Sequence, residues 1–391
     1  MSKLEEMIER FCPDGVEYRT INEICTITRG RVMSKEYIRE NIGEYPVYSS
    51  QTENNGELGK IKTYDFDGEY ITWTTDGANA GSVFYRDGKF SVTNVCGLLK
   101  VVSEKIITKF LYYILQIEAT KHVNAGMGNP KLMSNVMSKI KVAVPPLEVQ
   151  CEIVRILDNF TELSAELSAE LKARKGQFSY YRESLINSKN NITRLDDVVD
   201  IYLGLTHTPK YVEKGVKFIS AQNTSKDYLD LENVKYISRE EYDSITENAK
   251  PKKGDVLFTR VGSNLGHPVI VDTDEELCMF VSLGYLRIKD NNRVLNSYIK
   301  HWINTQNFWE QVRKYVHGSA KVNLNTGWLC KFEISIPSIS EQKRIINILD
   351  KFEKLCNDIS EGLPAEIESR RKQYEYYRDR LLTFKELKKE V

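Results

Sequence analysis

The sequence predicts an α+β protein: two globular α/β domains separated by two long antiparallel helices that form a coiled-coil spacer, the whole arranged with pseudo-two-fold symmetry. Three observations carry this. A helical segment occurs twice in the 391-residue chain. A β-rich stretch, punctuated by glycine and asparagine turns, precedes each copy. The two β-rich stretches also resemble each other, more weakly. The order is globule, helix, globule, helix, with bounds at 1–147, 148–188, 189–338 and 339–391.

Composition sets the class. Hydrophobic residues make up 41% and charged residues 28%, with 10 prolines, which excludes wholesale disorder. No run approaches about 18 consecutive apolar residues. The opening Met1-Ser2-Lys3-Leu4-Glu5-Glu6 lacks the apolar region of a signal peptide, so no membrane association and a cytoplasmic location are expected. The 55 basic and 55 acidic side chains cancel. That removes an overall basic charge as an argument for nucleic acid, while leaving room for a local basic surface. Seven scattered cysteines form no Cys-x-x-Cys pair, so they read as buried small hydrophobes rather than a disulfide or zinc framework.

The first globule contains the strand-like Glu69-Tyr70-Ile71-Thr72-Trp73, the turn Gly77-Ala78-Asn79-Ala80-Gly81, Gly97-Leu98-Leu99-Lys100, and the helical run Phe110-Leu111-Tyr112-Tyr113-Ile114-Leu115. The second globule repeats this order with Asp255-Val256-Leu257-Phe258-Thr259, Gly262-Ser263-Asn264-Leu265-Gly266, Gly284-Tyr285-Leu286-Arg287 and Tyr298-Ile299-Lys300-His301-Trp302-Ile303. The helices match more strongly. Val144-Pro145-Pro146-Leu147-Glu148-Val149-Gln150 returns as Ile336-Pro337-Ser338-Ile339-Ser340-Glu341-Gln342. Ile156-Leu157-Asp158-Asn159-Phe160 returns as Ile348-Leu349-Asp350-Lys351-Phe352, both at an offset of 192 residues. The Tyr-Tyr-Arg ends, Tyr180-Tyr181-Arg182 and Tyr376-Tyr377-Arg378, are offset by 196.

Apolar steps of three and four make a coiled-coil stripe on each helix. Its members include Ile156, Phe160, Leu163, Leu167, Phe178 and Tyr181 in the first copy. In the second they include Ile348, Phe352, Leu355, Ile359, Tyr374 and Tyr377. The four additional residues near Leu363 read as a stutter, which keeps the stripe on one face. Gly362 and Pro364 flank that point, where the helix kinks or restarts. Such stripes are ordinarily core; the tyrosines at the helix ends exceed what one two-helix seam covers and so suggest partner docking.

No enzyme machinery stands out. Asn129-Pro130-Lys131-Leu132 lacks the second proline and the aromatic of a methyltransferase loop. Neither a Walker loop nor a Gly-x-Ser-x-Gly elbow is present, and the five histidines lack metal-ligand spacing. An antiparallel helix pair would instead hold two similar heads apart and mutually inverted. Duplex DNA with two half-sites has matching symmetry. Base reading needs Arg, Lys, Asn and Gln, with Ser, Thr and glycine-rich backbone on phosphates. The first globule offers Arg29 and Arg31; Gln51, Asn54 and Asn55; Thr75 and Asn79; Asn129 and Lys131. The second offers Thr206, His207 and Lys210; Gln222 and Asn223; Arg260, Ser263 and Asn264; Ser319 and Lys321. Each stretch also reads as an ordinary polar turn.

The Pro-x-x-x-x-Gln helix openings, the Ile-Leu-Asp-x-Phe pieces and the Tyr-Tyr-Arg ends together resemble the specificity (S) subunits of type I restriction-modification enzymes. Gly204-Leu205-Thr206-His207-Thr208-Pro209-Lys210 and Gly43-Glu44-Tyr45-Pro46-Val47-Tyr48 look like openings of that family's target-recognition domains. The resemblance implies a non-catalytic chain that binds an asymmetric, bipartite double-stranded DNA target, one half-site per globule. It implies that the helices set the gap and dock two methyltransferase subunits, with motor-nuclease subunits joining that core. No cofactor is expected on this chain; S-adenosylmethionine, ATP and magnesium would sit on the partners. The rival reading is a two-headed adaptor for proteins or glycans, which the zero net charge favours.

Overall fold

The computed structural model describes residues 3–124, 126, 128–187, 191–315, 322–358 and 360–387. The chain divides into two compact units, Met1–Glu166 with Glu368–Val391, and Leu167–Ile367. Both divisions fall near or inside helices. The central helix, Leu147–Ile186, runs for 40 residues, or roughly 60 Å at 1.5 Å per residue.

The distal segment forms two helices, Ile339–Asn357 and Leu363–Leu381, of 19 residues each. At Leu363 the chain therefore restarts rather than continuing as one stuttered coil. Asp358 Oδ1 accepts the N–H groups of Ser360 (2.7 Å) and Glu361 (3.1 Å), diverting them from the helical ladder. A Cβ on Gly362 would lie 2.6 Å from the Asp358 carbonyl oxygen, so this turn needs glycine. Pro364 lacks an N–H but sits in a first turn, where none is required. The additional residues of the second repeat build this turn. Ile359 lies outside the described residues.

The first unit holds an antiparallel sheet in the order Cys25–Arg29, Cys96–Val101, Tyr70–Thr74, Val83–Arg86. Helix Thr108–Lys121 buries Phe110, Leu111 and Leu115 in one core with Ile71, Trp73 and Leu99. A mixed sheet, Glu57–Ile61, Ile42–Tyr48, Lys89–Val92, Phe66–Asp67, has its parallel pair in the middle. The second unit repeats this plan. Its antiparallel sheet runs Val199–Leu203, Leu283–Ile288, Val256–Thr259, Pro268–Ile270, backed by helix Asn296–Ile303. Its mixed sheet runs Tyr211–Val212, Lys235–Ile237, Val216–Ile219, Leu277–Met279, ending in a parallel pair.

The weak globule repeat has a packing cause. Trp73 lies across from Gly97, where a Cβ would stand 2.1 Å from the indole. Phe258 lies across from Gly284, where a Cβ would stand 2.5 Å from the ring. In each unit an aromatic side chain occupies the space that a cross-strand glycine leaves open.

The helix motifs tie each helix to its globule. Gln150 Oε1 accepts the Ile107 N–H (2.8 Å), and its Nε2 donates to the carbonyls of Lys105 (2.8 Å) and Pro145 (2.7 Å). Gln342 repeats this with the Leu295 N–H (2.9 Å) and the Arg293 (2.9 Å) and Pro337 (2.8 Å) carbonyls. Both glutamines are wholly buried. Asp158 accepts from Tyr113 Oη (2.5 Å) and Lys109 Nζ (2.7 Å), while Asp350 meets His301 Nε2 at 2.7 Å. Leu157 and Leu349 are fully buried against their own globules.

Stacking completes the helix pairing within each unit. Phe160 stacks on Tyr377 at 5.5 Å, and Phe352 stacks on Tyr181 at 5.5 Å and on Phe178 at 6.1 Å. The phenylalanine near the start of one repeat's helix thus meets the tyrosine at the end of the other's, the reciprocity of an antiparallel pair. Along the expected stripe, Leu167 and Phe178 are buried, and Ile156, Phe160, Leu163, Ile348, Phe352 and Tyr374 are half-buried. Leu355, Tyr181 and Tyr377 stay exposed, because two helices bury only a narrow seam.

Candidate nucleic-acid interface

In the first unit, strand ends gather loops along one rim. Arg29 ends its strand opposite Gly97, and Thr74 ends its own opposite Cys96. Arg29 Nε donates to Ser134 Oγ at 3.2 Å. The turn after Thr74 lies beside residues 129–132: the Gly77 N–H donates to the Pro130 carbonyl (3.0 Å) and the Leu132 N–H to the Thr75 carbonyl (2.9 Å). This places Asn79, Asn129 and Lys131, all exposed, around one hairpin with Arg29 close by. Thr75 is buried, and its hydroxyl donates to the Val95 carbonyl at 2.9 Å, so its role here is to hold the turn.

A second group adjoins through Thr93. Arg31 bridges to Thr93 and pairs with Asp65 at 2.9 Å; Thr93 Oγ1 lies 3.0 Å from Ser49 Oγ. Beyond Ser49, the Gln51 amide donates to the Glu57 carbonyl, and Asn54 and Asn55 are exposed.

The second unit builds the corresponding rim. Leu203 ends opposite Gly284, and Thr206, His207 and Lys210 follow, all exposed. The tip after Thr259 carries exposed Ser263 and Asn264, closed by the Gly266 N–H to the Thr259 carbonyl at 2.7 Å. Arg260 Nε donates to the Leu324 carbonyl at 2.9 Å, which occupies much of this half-buried guanidinium. Gln222 is exposed, whereas Asn223 is buried: its Oδ1 accepts the Ser220 N–H (2.9 Å), and its Nδ2 reaches the Asp230 (3.1 Å) and Asn233 (3.3 Å) carbonyls. Asn223 shapes the loop that presents Gln222. Ser319 and Lys321 lie outside the described residues.

Some rim residues escape sequence reading. Lys235 Nζ lies 4.2 Å above the Tyr211 ring, and both line a groove with Gln222 and Thr208. Their separation of 24 positions leaves no local signal. Val32, beside Arg31, is 79% exposed, an apolar tip of the kind that meets thymine methyl groups.

The basic runs on the helices are largely engaged. Arg174 pairs with Glu170 at 3.3 Å, and Arg371 with Glu368 at 2.8 Å. The hydrogen bond from Arg371 holds the Glu368 carboxyl down to about 2. Among the described residues, one trio has metal-ligand atoms within 4.8 Å of one another, His301, Asp350 and Glu353. Lys300 Nζ sits 2.8 Å from Glu353, and His301 bonds Asp350, so the trio closes on itself as ion and hydrogen-bond pairs. Five cysteines are buried; Cys151 is exposed and Cys330 intermediate. No described helix is long and apolar enough to cross a membrane.

Comparison with known proteins agrees with this architecture. The model of the type I restriction modification DNA specificity domain matches residues 13–174 and again 187–369. A Mycoplasma pneumoniae chain described as a type I specificity subunit, S.MpnORF507P, is 36% identical over 381 residues, covering 94% of this chain and 98% of that one. The specificity subunit of the type I restriction enzyme MpnII, from the same organism, is 49% identical over 189 residues, 47% of this chain and 57% of its own. Among solved structures, the S subunit of a type I restriction-modification system from M. genitalium aligns with a TM-score of 0.58 at 13% identity, over 94% of this chain and 96% of that one. The HsdS subunit from Thermoanaerobacter tengcongensis aligns with a TM-score of 0.51 at 13% identity, over 95% and 97%. These two structures share the fold. With the family model matched twice over most of its length, the chain belongs to the type I restriction-modification specificity subunits, non-catalytic chains with two target-recognition domains.

Proposed function

We propose that each rim enters the major groove of one half-site of an asymmetric, bipartite DNA target. The observation that carries this reading is one sheet topology bearing two different loop sets. The Thr74–Gly81 turn and the Thr259–Gly266 turn occupy the same place in their sheets but differ in side chains. Equal scaffolds suit equal docking; unequal loops suit unequal bases. Arg29, Arg31, Gln51, Asn54, Asn55, Asn79, Asn129 and Lys131 serve one half-site. Thr206, His207, Lys210, Gln222, Arg260, Ser263 and Asn264 serve the other, together with Ser319 and Lys321. Thr75 and Asn223 act from beneath, through the turns they hold.

The helices set the gap between half-sites and dock two methyltransferase subunits. The repeat-equivalent Tyr180 and Tyr376, 68% and 60% exposed, support such docking. Motor-nuclease subunits join that core. S-adenosylmethionine belongs to the methyltransferase subunits, and ATP with magnesium to the motor, in the cytoplasm. The test is methylome sequencing of a host expressing this chain with its co-encoded methyltransferase. The expected result is one bipartite motif with two different halves; methylation without such a motif would refute the proposal.

A further inference from the structure

Arg86 ends strand Val83–Arg86 and is 3% exposed. Its guanidinium lies 3.5 Å above the Tyr48 ring. Nε donates to Thr72 Oγ1 at 3.1 Å, Nη2 donates to the Asn55 carbonyl at 2.8 Å, and Nη1 has no partner among the described residues. No described carboxylate pairs with it. By contrast Arg287 of the second unit, which is only half-buried, forms a two-pronged ion pair with Asp255 at 2.7 and 3.0 Å. Burial pulls the Arg86 pKa below the ordinary guanidinium value. A buried cation without a counter-ion costs stability, so its place in the fold calls for another account.

The loop above it supplies one. Asn54, Asn55 and Gly56 are consecutive left-handed residues, with φ of 49°, 53° and 78°. Asparagine enters that region more readily than other residues with a side chain, but two in succession keep it only where the surroundings hold them. The Asn55 carbonyl is held by Arg86, and the Gly56 carbonyl accepts the Ser49 N–H at 2.9 Å. The side-chain amides of Asn54 and Asn55 are exposed and have no partner among the described residues. A free carboxamide on a fixed backbone is the group that reads adenine by paired hydrogen bonds to N6 and N7.

We infer that Arg86 is a positioning residue for DNA specificity: from beneath the loop it locks the left-handed Asn54–Asn55 turn, whose amides read adenine in the half-site of the first unit. This rests on the DNA-reading role proposed above and narrows it to one turn and one base type.

The test uses the full chain co-expressed with its methyltransferase, with host genomic DNA as the probe. Arg86→Met keeps an aliphatic side chain under Tyr48 but cannot hold the Asn55 carbonyl. Asn54→Gly and Asn55→Gly keep the left-handed backbone and remove one amide each. Methylome sequencing should show Arg86→Met and at least one asparagine variant relaxing the same adenine position of one half-site. The loss of discrimination should be about tenfold or more, with the other half-site unchanged. If Arg86→Met does not accumulate as folded protein, Thr72→Val, which removes only the hydroxyl that orients the guanidinium, is read in the same way. An unchanged motif, relaxation at unrelated positions, or weakening of both half-sites together would overturn the inference. A wild-type complex that methylates no bipartite motif would overturn the underlying reading, and this one with it.

Discussion

Gln150 and Gln342 show how much a single side chain does here. Each amide satisfies three backbone groups where a helix leaves its globule, and each is wholly buried. Replacing either by alanine strands buried donors and acceptors. We expect Gln150→Ala and Gln342→Ala each to destabilise the chain by about 2–4 kcal/mol, measured by urea denaturation. A loss near zero would mean that water replaces the amide at no cost. Gly97→Ala and Gly284→Ala bring a methyl group into Trp73 and Phe258, so each should cost about 1–3 kcal/mol in the same experiment. The candidate list divides at this scale too. Asn79 and Asn264 project from exposed tips, as turn residues flanked by glycine do. Thr75 and Asn223 are consumed within their loops. Residue type could not separate the two groups, since Asn and Thr hydrogen-bond equally well to backbone and to bases.

Among elements, the helix stripe was legible because spacing of three and four reports a face directly. Its deepest position within the Ile-Leu-Asp piece was not. There the stripe ran through Ile156 and Ile348, but Leu157 and Leu349 are wholly buried, since each helix packs on a globule as well as on a helix. Stacking of Phe160 on Tyr377 should give a coupling of about 0.5–1.5 kcal/mol in a double-mutant cycle to alanine. Tyr376→Ala, at an exposed position, should leave stability within about 0.5 kcal/mol. Equal losses at Tyr376 and Tyr377 would contradict this packing. The N-terminal part of the central helix also carries a pH dependence. The guanidinium of Arg155, with Lys3, holds the Glu152 carboxyl down to about 2, below the ordinary value of about 4.3. A depressed carboxylate stabilises the fold above its unfolded pKa, and that stability is lost as pH falls through the folded one. Between about pH 4.5 and 2 the wild-type melting temperature should therefore fall more steeply than that of Glu152→Gln. Parallel curves would show that the pair contributes nothing.

For the whole molecule, duplication is the organising fact. Two sheets of one topology carry loops of different sequence, so replacing residues 189–338 by those of a relative should change one half-site of the methylated motif and leave the other intact. A change in both halves, or in neither, would end the modular reading. The central helix is continuous over 40 residues. Four residues inserted after Glu170 should lengthen it by about 6 Å, and so change the gap in the motif or abolish methylation. Methylome mapping of the insertion variant decides this, and an unchanged gap would remove the helices from the role of spacer.

The sequence by itself determined the repeat, the two helix stripes and the family, because periodicity and ordered motifs survive in one dimension. It also marked Gly362 and Pro364 as the point of interruption. Only the tertiary structure decided that the helix restarts there, through the Asp358 carboxylate that captures the following N–H groups. It alone showed which polar loop residues are spent on their own backbone and which remain free, and it alone brought Arg86 beneath Asn55. The reason is physical. A hydrogen bond or a buried charge depends on groups that meet across strands, and their distance along the chain carries no trace of that meeting.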